Sequence, residues 1–216
     1  NGIIFILDEM ITGFRWHMKG AQYLFDVKPD LTTFGKAMAN GYSVSCVAGK
    51  REIMELGSIE HIGRERTFLL STTHGAEMSS LGAFVETIKF MKNKKVINHM
   101  WKYGYNLIKL MNELAIEYNV SKNFIAKGPS CSPIYVFYDN NGKISLSLRT
   151  LFSQEMIKNN ILMPWITLCY RHGAKELKIT ENALRKVFPI IKSALDTNVS
   201  LYLDGDAIKP VFRKYN

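Results

Sequence analysis

The sequence predicts an α/β fold that passes into an α+β second part, and three observations predict it. Gly2 to Leu7 (GIIFIL) is a continuous apolar run that ends abruptly at Asp8-Glu9, the pattern of a strand buried on both faces of a parallel sheet. Beyond Gly75, the residues Met78, Leu81, Phe84, Val85 and Ile88 recur at three- and four-residue spacing, the period of a helix with one apolar face. From about Tyr118 onward, strand-like and helical stretches alternate with turn residues. With 216 residues, 47% of them hydrophobic, the chain can bury a substantial core as one large domain or two small ones.

Each element follows from its local pattern. Pro29 to Phe34 is a short extended piece with two β-branched threonines, leading into Gly35-Lys36. Ala37 to Gly41 reads as a helical turn closed by glycine. Ser43 to Ala48 and Thr67 to Ser71 read as two more strands, the first of them buried. Val96 to Tyr118 is a long amphipathic helix. Ile134 to Tyr138 is a strand, followed by a turn at Asn140-Asn141-Gly142. Ser147 suits the cap of a helix running through Asn159, Ile161 to Tyr170 is strand-like, and Thr180 opens a helix to about Asp196. The change in texture places a domain boundary near residues 90 to 100.

Composition narrows the function classes. The net charge of +9 comes from 28 basic and 19 acidic residues, which suits an anionic partner in principle. The lysines are scattered, however, and the densest run, Lys89 to Lys95, reads as the exposed end of a helix, so no nucleic acid partner is expected. Cys46, Cys131 and Cys169 are odd in number and far apart, which makes neither a disulfide framework nor a metal site. A reducing, cytoplasmic setting fits them best. No apolar run is long enough to span a bilayer, so no membrane partner is expected. The start at Asn1-Gly2, with no initiator Met, reads as a fragment of a longer protein.

Three features carry chemistry. Asp8 stands at the C-terminal end of the first strand, where open α/β sheets bind ligands; a turn-capping carboxylate and one that meets a cationic ligand atom both fit. Lys36, flanked by Gly35 and a short helical turn, is either an ordinary solvated lysine or a nucleophilic amine in a cleft. Ser71-Thr72-Thr73-His74-Gly75 precedes a helix, so its hydroxyls and free N–H groups make either a simple cap or an anion site suited to phosphate. Together the three match one cofactor. Pyridoxal phosphate needs a lysine to form an imine, an acid to keep the pyridine nitrogen protonated, and donors for its phosphate.

The motifs also resemble a known family. Ile6 to Arg15 (ILDEMITGFR) and Pro29 to Lys36 (PDLTTFGK) resemble motifs of the class III aminotransferases, in particular the glutamate-1-semialdehyde 2,1-aminomutase-like branch. Thr67-Phe68 and Ser71 to Gly75 resemble that branch's phosphate loop, and Lys209 to Arg213 the end of some members. The resemblance implies fold type I of the pyridoxal-phosphate-dependent transferases. Residues 1–92 would be the C-terminal part of the large domain and residues 93–216 the small α+β C-terminal domain. It implies that Lys36 forms the internal aldimine and moves the substrate proton, and that Asp8 pairs with the pyridinium nitrogen. Thr72, with Thr73 as the alternative, would reach the phosphate in a partner subunit's site, which implies a homodimer. Glu9 and Arg15 would hold the Asp8 loop; His17 and His172 fit either the neighbourhood of the site or purely structural places. The implied substrates are a small amine and an aldehyde or keto compound. Lys127 to Cys131 lacks the arginine with which many class III transaminases hold a substrate carboxylate.

The N-terminal half of the family, which supplies the ring-stacking aromatic and most phosphate contacts, is not among these residues. The expectation is therefore amino-group transfer by the parent protein and poor activity of the 216-residue piece alone. The alternative is a catalytically incomplete remnant acting as a structural or interaction module. A basic nucleic-acid-binding domain would rest on the charge alone.

Overall fold

The computed structural model describes residues 2–60, 63, 65–66 and 77–209. The strand expected at Thr67 to Ser71, the Ser71 to Gly75 loop with Thr72 and Thr73, and the tail from Pro210 lie outside the described residues. The chain divides into two compact units, Asn1–Asn98 and His99–Asn216.

The first unit is built on a three-stranded sheet in the order β1-β2-β3, comprising β1 (Ile6–Asp8), β2 (Leu31–Phe34) and β3 (Cys46–Gly49). Strands β1 and β2 are parallel, with Asp8 opposite Thr33; β3 runs antiparallel to β2, with Cys46 opposite Phe34. The parallel pair needs a crossover, and residues 9–30 supply it, including the short helix α1 (Ala21–Leu24). Asp30 fastens the start of the pair: its carboxylate accepts the Phe5 N–H at 2.7 Å and meets Lys50 Nζ at 2.6 Å. After β3 come a single helical turn, α2 (Arg51–Met54), and a 3-10 turn (Glu55–Gly57). The helix α3 (Met78–Asn93) covers the expected helical stretch, but Met78, Leu81 and Val85 of its expected apolar face are exposed; Phe84 on it meets Phe14 edge-on at 6.1 Å.

Two expectations for this unit need correction. Only Ile6–Asp8 of the apolar run forms a strand, and the run is exposed, from 45% at Phe5 to 82% at Ile3. Strand β3 is likewise exposed along most of its length rather than buried. The reason is topological. A strand is buried on both faces only where further layers cover the sheet, and among the described residues of this unit β1 is an outer strand whose one partner is β2.

The second unit joins most of the long helix α4 (Val96–Glu117) to an antiparallel pair, β4 (Phe124–Lys127) and β5 (Ile134–Phe137), and to the helices α5 (Leu146–Lys158) and α6 (Ala174–Asp196). Its core is aromatic. Phe124 and Phe137 lie 4.9 Å apart between ring centres, with Phe152 at 5.2 Å from Phe137 and Phe188 at 5.2 Å from Phe124. Asn112 on α4 ties the helix to β4, donating to the Ala126 carbonyl and accepting the Ala126 N–H, each at 2.9 Å. Gly104 lets the same helix come closer still to residue 130; a Cβ there would collide with the Ser130 carbonyl.

Here too the sequence reading shifts. The cap of α5 is Ser145, not Ser147; Ser145 is extended and its hydroxyl accepts the Leu148 N–H at 3.2 Å. Helix α6 begins at Ala174, ahead of Thr180, because the Glu176 carboxylate folds back to accept the Gly173 N–H at 2.8 Å. Ile161 to Tyr170 forms no strand. Pro164 lacks a donor for a ladder, and the segment instead lines a cleft. Strand β4 was not foreseen.

Candidate functional site

Asp8 and Lys36 come together because their strands are parallel neighbours. Asp8 ends β1, its register partner Thr33 lies on β2, and Lys36 follows that strand by two residues. Gly35 makes the approach close: a Cβ at this position would run into the Met10 thioether, with Sδ at 2.9 Å. Lys36 then opens a 3-10 turn (Lys36–Met38) with φ of 45°, a conformation that a lysine adopts only when its surroundings impose it.

The electrostatics hold Asp8 in its ionised form. Asp8 Oδ1 accepts the Met10 N–H at 2.9 Å and the Thr33 hydroxyl at 3.1 Å. The Met10 N–H, then the Thr33 hydroxyl and more weakly the Lys36 charge, hold the Asp8 carboxyl below the usual aspartate range, against a smaller opposing effect of desolvation. Asp8 is thus ionised at neutral pH. Its Oδ2 makes no hydrogen bond among the described residues, and neither does Lys36 Nζ. Both side chains are exposed.

Glu9, one residue on, is fully buried. Its carboxylate accepts the Thr12 hydroxyl and the N–H groups of Ala21 and Gln22, the latter two at 2.8 Å, while its own N–H donates to the Thr33 carbonyl at 3.0 Å. It therefore clamps the crossover to the end of β1 and fixes where Asp8 stands. Gly20, with φ of 81°, leaves room for this carboxylate; a Cβ would strike Oε1. His17 is occupied structurally in this unit: its Nδ1 accepts the Lys19 N–H at 3.0 Å and its ring stacks on Tyr23 at 4.2 Å. His172 belongs to the second unit, where its Nδ1 accepts the Cys169 N–H at 3.3 Å and its carbonyl accepts from His99 Nε2 at 2.7 Å. Thr33, Thr12 and Gly20 were missed as supports of the site. Only Thr33 had a readable signal, since a parallel β1–β2 register sets it opposite Asp8.

The pair fits the cofactor's demands as far as this chain's residues go. One carboxylate oxygen is held and the other is free for an N–H donor, beside an unengaged primary amine. Among the described residues no group of three His, Cys, Asp or Glu side chains could hold a metal ion, and no helix is long and apolar enough to cross a membrane.

A family model described as aminotransferase class III matches residues 1–139. The chain belongs to the class III aminotransferase family. Among curated relatives of this class III chain, 3-aminobutyryl-CoA aminotransferase of Cloacimonas acidaminovorans is 31% identical over 89% of the chain and 45% of the relative. Glutamate-1-semialdehyde 2,1-aminomutase of Fusobacterium nucleatum is also 31% identical, over 87% of the chain and again 45% of the relative. The class III chain thus spans about half the length of the curated relatives it matches. Among solved structures, the FumI protein of Sphingopyxis sp. MTA144, in its PLP internal aldimine form, superposes with a TM-score of 0.78 at 17% identity, over 91% of this chain and 45% of that one. An omega-transaminase from Sphaerobacter thermophilus superposes at 0.75 with 20% identity, over 88% of this chain and 45% of that one. The fold is that of the type I pyridoxal-phosphate-dependent transferases.

Proposed function

We propose that this chain is the C-terminal half of a pyridoxal-phosphate-dependent enzyme that moves an amino group. The transfer runs between molecules, as in an aminotransferase, or within one, as in glutamate-1-semialdehyde 2,1-aminomutase. The observation that best supports this reading is the meeting of an ionised Asp8, one oxygen still free, with the unengaged amine of Lys36. Residues 1–92 would belong to the cofactor-binding large domain and residues 93–216 to the small C-terminal domain.

Asp8 would receive the N–H of the cofactor's ring nitrogen and keep it charged. Lys36 Nζ would hold the cofactor covalently and, once displaced by the substrate amine, take and return the proton at the substrate carbon. When bound, pyridoxal phosphate supplies an electron sink for the charge left at that carbon. Thr72 or Thr73 would donate to the phosphate of the partner subunit's site, in a homodimer. The substrates would be a small amine and an aldehyde or keto compound, and the setting cytoplasmic.

Borohydride reduction tests the reading directly. The full-length protein, incubated with pyridoxal phosphate and reduced, should carry the added mass on the peptide containing Lys36, and Lys36→Ala should carry none. A label elsewhere, or unchanged labelling and activity in Lys36→Ala, would overturn it. The 216-residue chain alone should turn over poorly in the same assay, and robust turnover would sink that part. A remnant without catalytic function would show no Lys36 label even at full length.

A further inference from the structure

The second unit contains a cleft of its own. It is about 490 Å3 in volume, within the range of small-molecule sites, and lies between the extended segment 160–168 and the facing sides of α4 and α6. Leu107, Ile166, Leu168 and Ile179 give it apolar walls. Asn160, Thr167 and Thr180 add polar groups to its wall, and Tyr103, His172 and Glu176 line it from the two helices and the turn between.

Tyr103 is the telling residue. It is 92% buried, at 8% exposure, yet its hydroxyl makes no hydrogen bond among the described residues. Nor is that oxygen sealed from solvent. It therefore opens on the cleft. In the cleft a water or a ligand atom can take its hydrogen bond. Burial, then the Glu176 and Cys169 charges, pushes the Tyr103 phenol up to about 12, so at neutral pH it is a donor. The His172 ring lies 5.5 Å from that of Tyr103. Because His172 Nδ1 accepts the Cys169 N–H, a neutral ring carries its proton on Nε2, which is a second donor without a partner among the described residues. Glu176 is the opposite pole. The Gly173 N–H holds its carboxyl below the usual range, so it is an ionised acceptor with capacity beyond that one bond.

We propose that this cleft binds a small molecule with an apolar body and an uncharged head that carries a carbonyl acceptor beside an N–H donor, a primary carboxamide being the simplest case. The carbonyl takes the Tyr103 and His172 donors, and the N–H meets Glu176. An anionic head would face the Glu176 charge, and a cationic head would leave the two donors unmatched. Its lining residues all belong to the second unit.

The probe is benzamide, titrated against the protein by calorimetry and saturation-transfer NMR, with benzoate and benzylamine as controls of like size. Benzamide should bind saturably, with benzoate and benzylamine each about tenfold weaker or more, the worth of one lost or mismatched hydrogen bond to a charged group. Tyr103→Phe should weaken benzamide about five- to tenfold, and Glu176→Gln should narrow the gap between benzamide and benzoate. The proposal is overturned if benzamide does not bind, if either control binds as tightly, or if Tyr103→Phe binds equally well. Should Tyr103→Phe fail to fold, Glu176→Gln decides, and an unchanged benzoate gap would overturn it.

Discussion

At the scale of single residues, the site stands on groups that do no chemistry. Glu9 is a buried acid with three donors converging on its carboxylate. Hydrogen bonds to a charged group stabilise more than neutral ones, and orphaned buried donors cost more again. Glu9→Ala should therefore lower unfolding stability by about 2–4 kcal/mol, as read by urea titration; a loss too small to measure would show that the clamp is slack. Asp30 gives a pH dependence. Lys50 first, then the Phe5 N–H, lower its pKa in the folded state. Its contribution is therefore complete above the ordinary aspartate pKa and fades as pH falls through the lowered folded value. Asp30 raises the Lys50 pKa in turn, so that residue's share is complete below the ordinary lysine pKa and lost only as pH rises through the raised value. Between about pH 5 and pH 3, melting temperature should fall more steeply for the wild type than for Asp30→Asn. Parallel curves would mean the pair contributes nothing.

At the scale of elements, Gly104 shows two effects in opposition. Alanine in place of a helical glycine ordinarily favours the helix by about 1 kcal/mol. Here the new Cβ meets the Ser130 carbonyl, with the carbonyl carbon at 2.7 Å, and backbone yields poorly. Overpacking of this kind costs about 1–3 kcal/mol, so Gly104→Ala should be net destabilising in urea; a variant as stable as the wild type would deny the close approach. Elements whose signal is periodic were legible in the sequence. Helices α3 and α4 start within a residue of their expected positions, and β2 and β5 fall inside their predicted runs. Elements decided by tertiary partners were not. The start of α6 depends on a carboxylate folding back to a glycine N–H, and two nearby serines competed for the cap of α5. Ile161 to Tyr170 has strand composition but no neighbour to pair with. Asp8 and Lys36 were legible as candidates from their motifs; Thr33 and Gly20 were not, because their roles exist only once the crossover has folded.

At the scale of the whole molecule, burial is what the sequence misjudged. The apolar run at the N-terminal end has the composition of a core strand and lies in solvent, with Ile4 at 51% and Ile6 at 57% exposure. An outer strand beside exposed apolar side chains is a template for association. The 216-residue chain should self-associate with rising concentration in sedimentation experiments, and Ile4→Lys should suppress this; a monomer at all concentrations would contradict it. The same sheet has a consequence in time. The Thr33 hydroxyl reaches Asp8 across only 25 residues of chain. Closing a loop of that length costs modest entropy, but parallel pairing is slow to form. Asp8 and Lys36 are thus set side by side only when this pairing closes the crossover, and pulse-labelling hydrogen exchange should find the Thr33 and Glu9 amides protected in the same step. A nascent chain would carry both residues of the proposed centre from the start and gain their juxtaposition only when β2 pairs with β1.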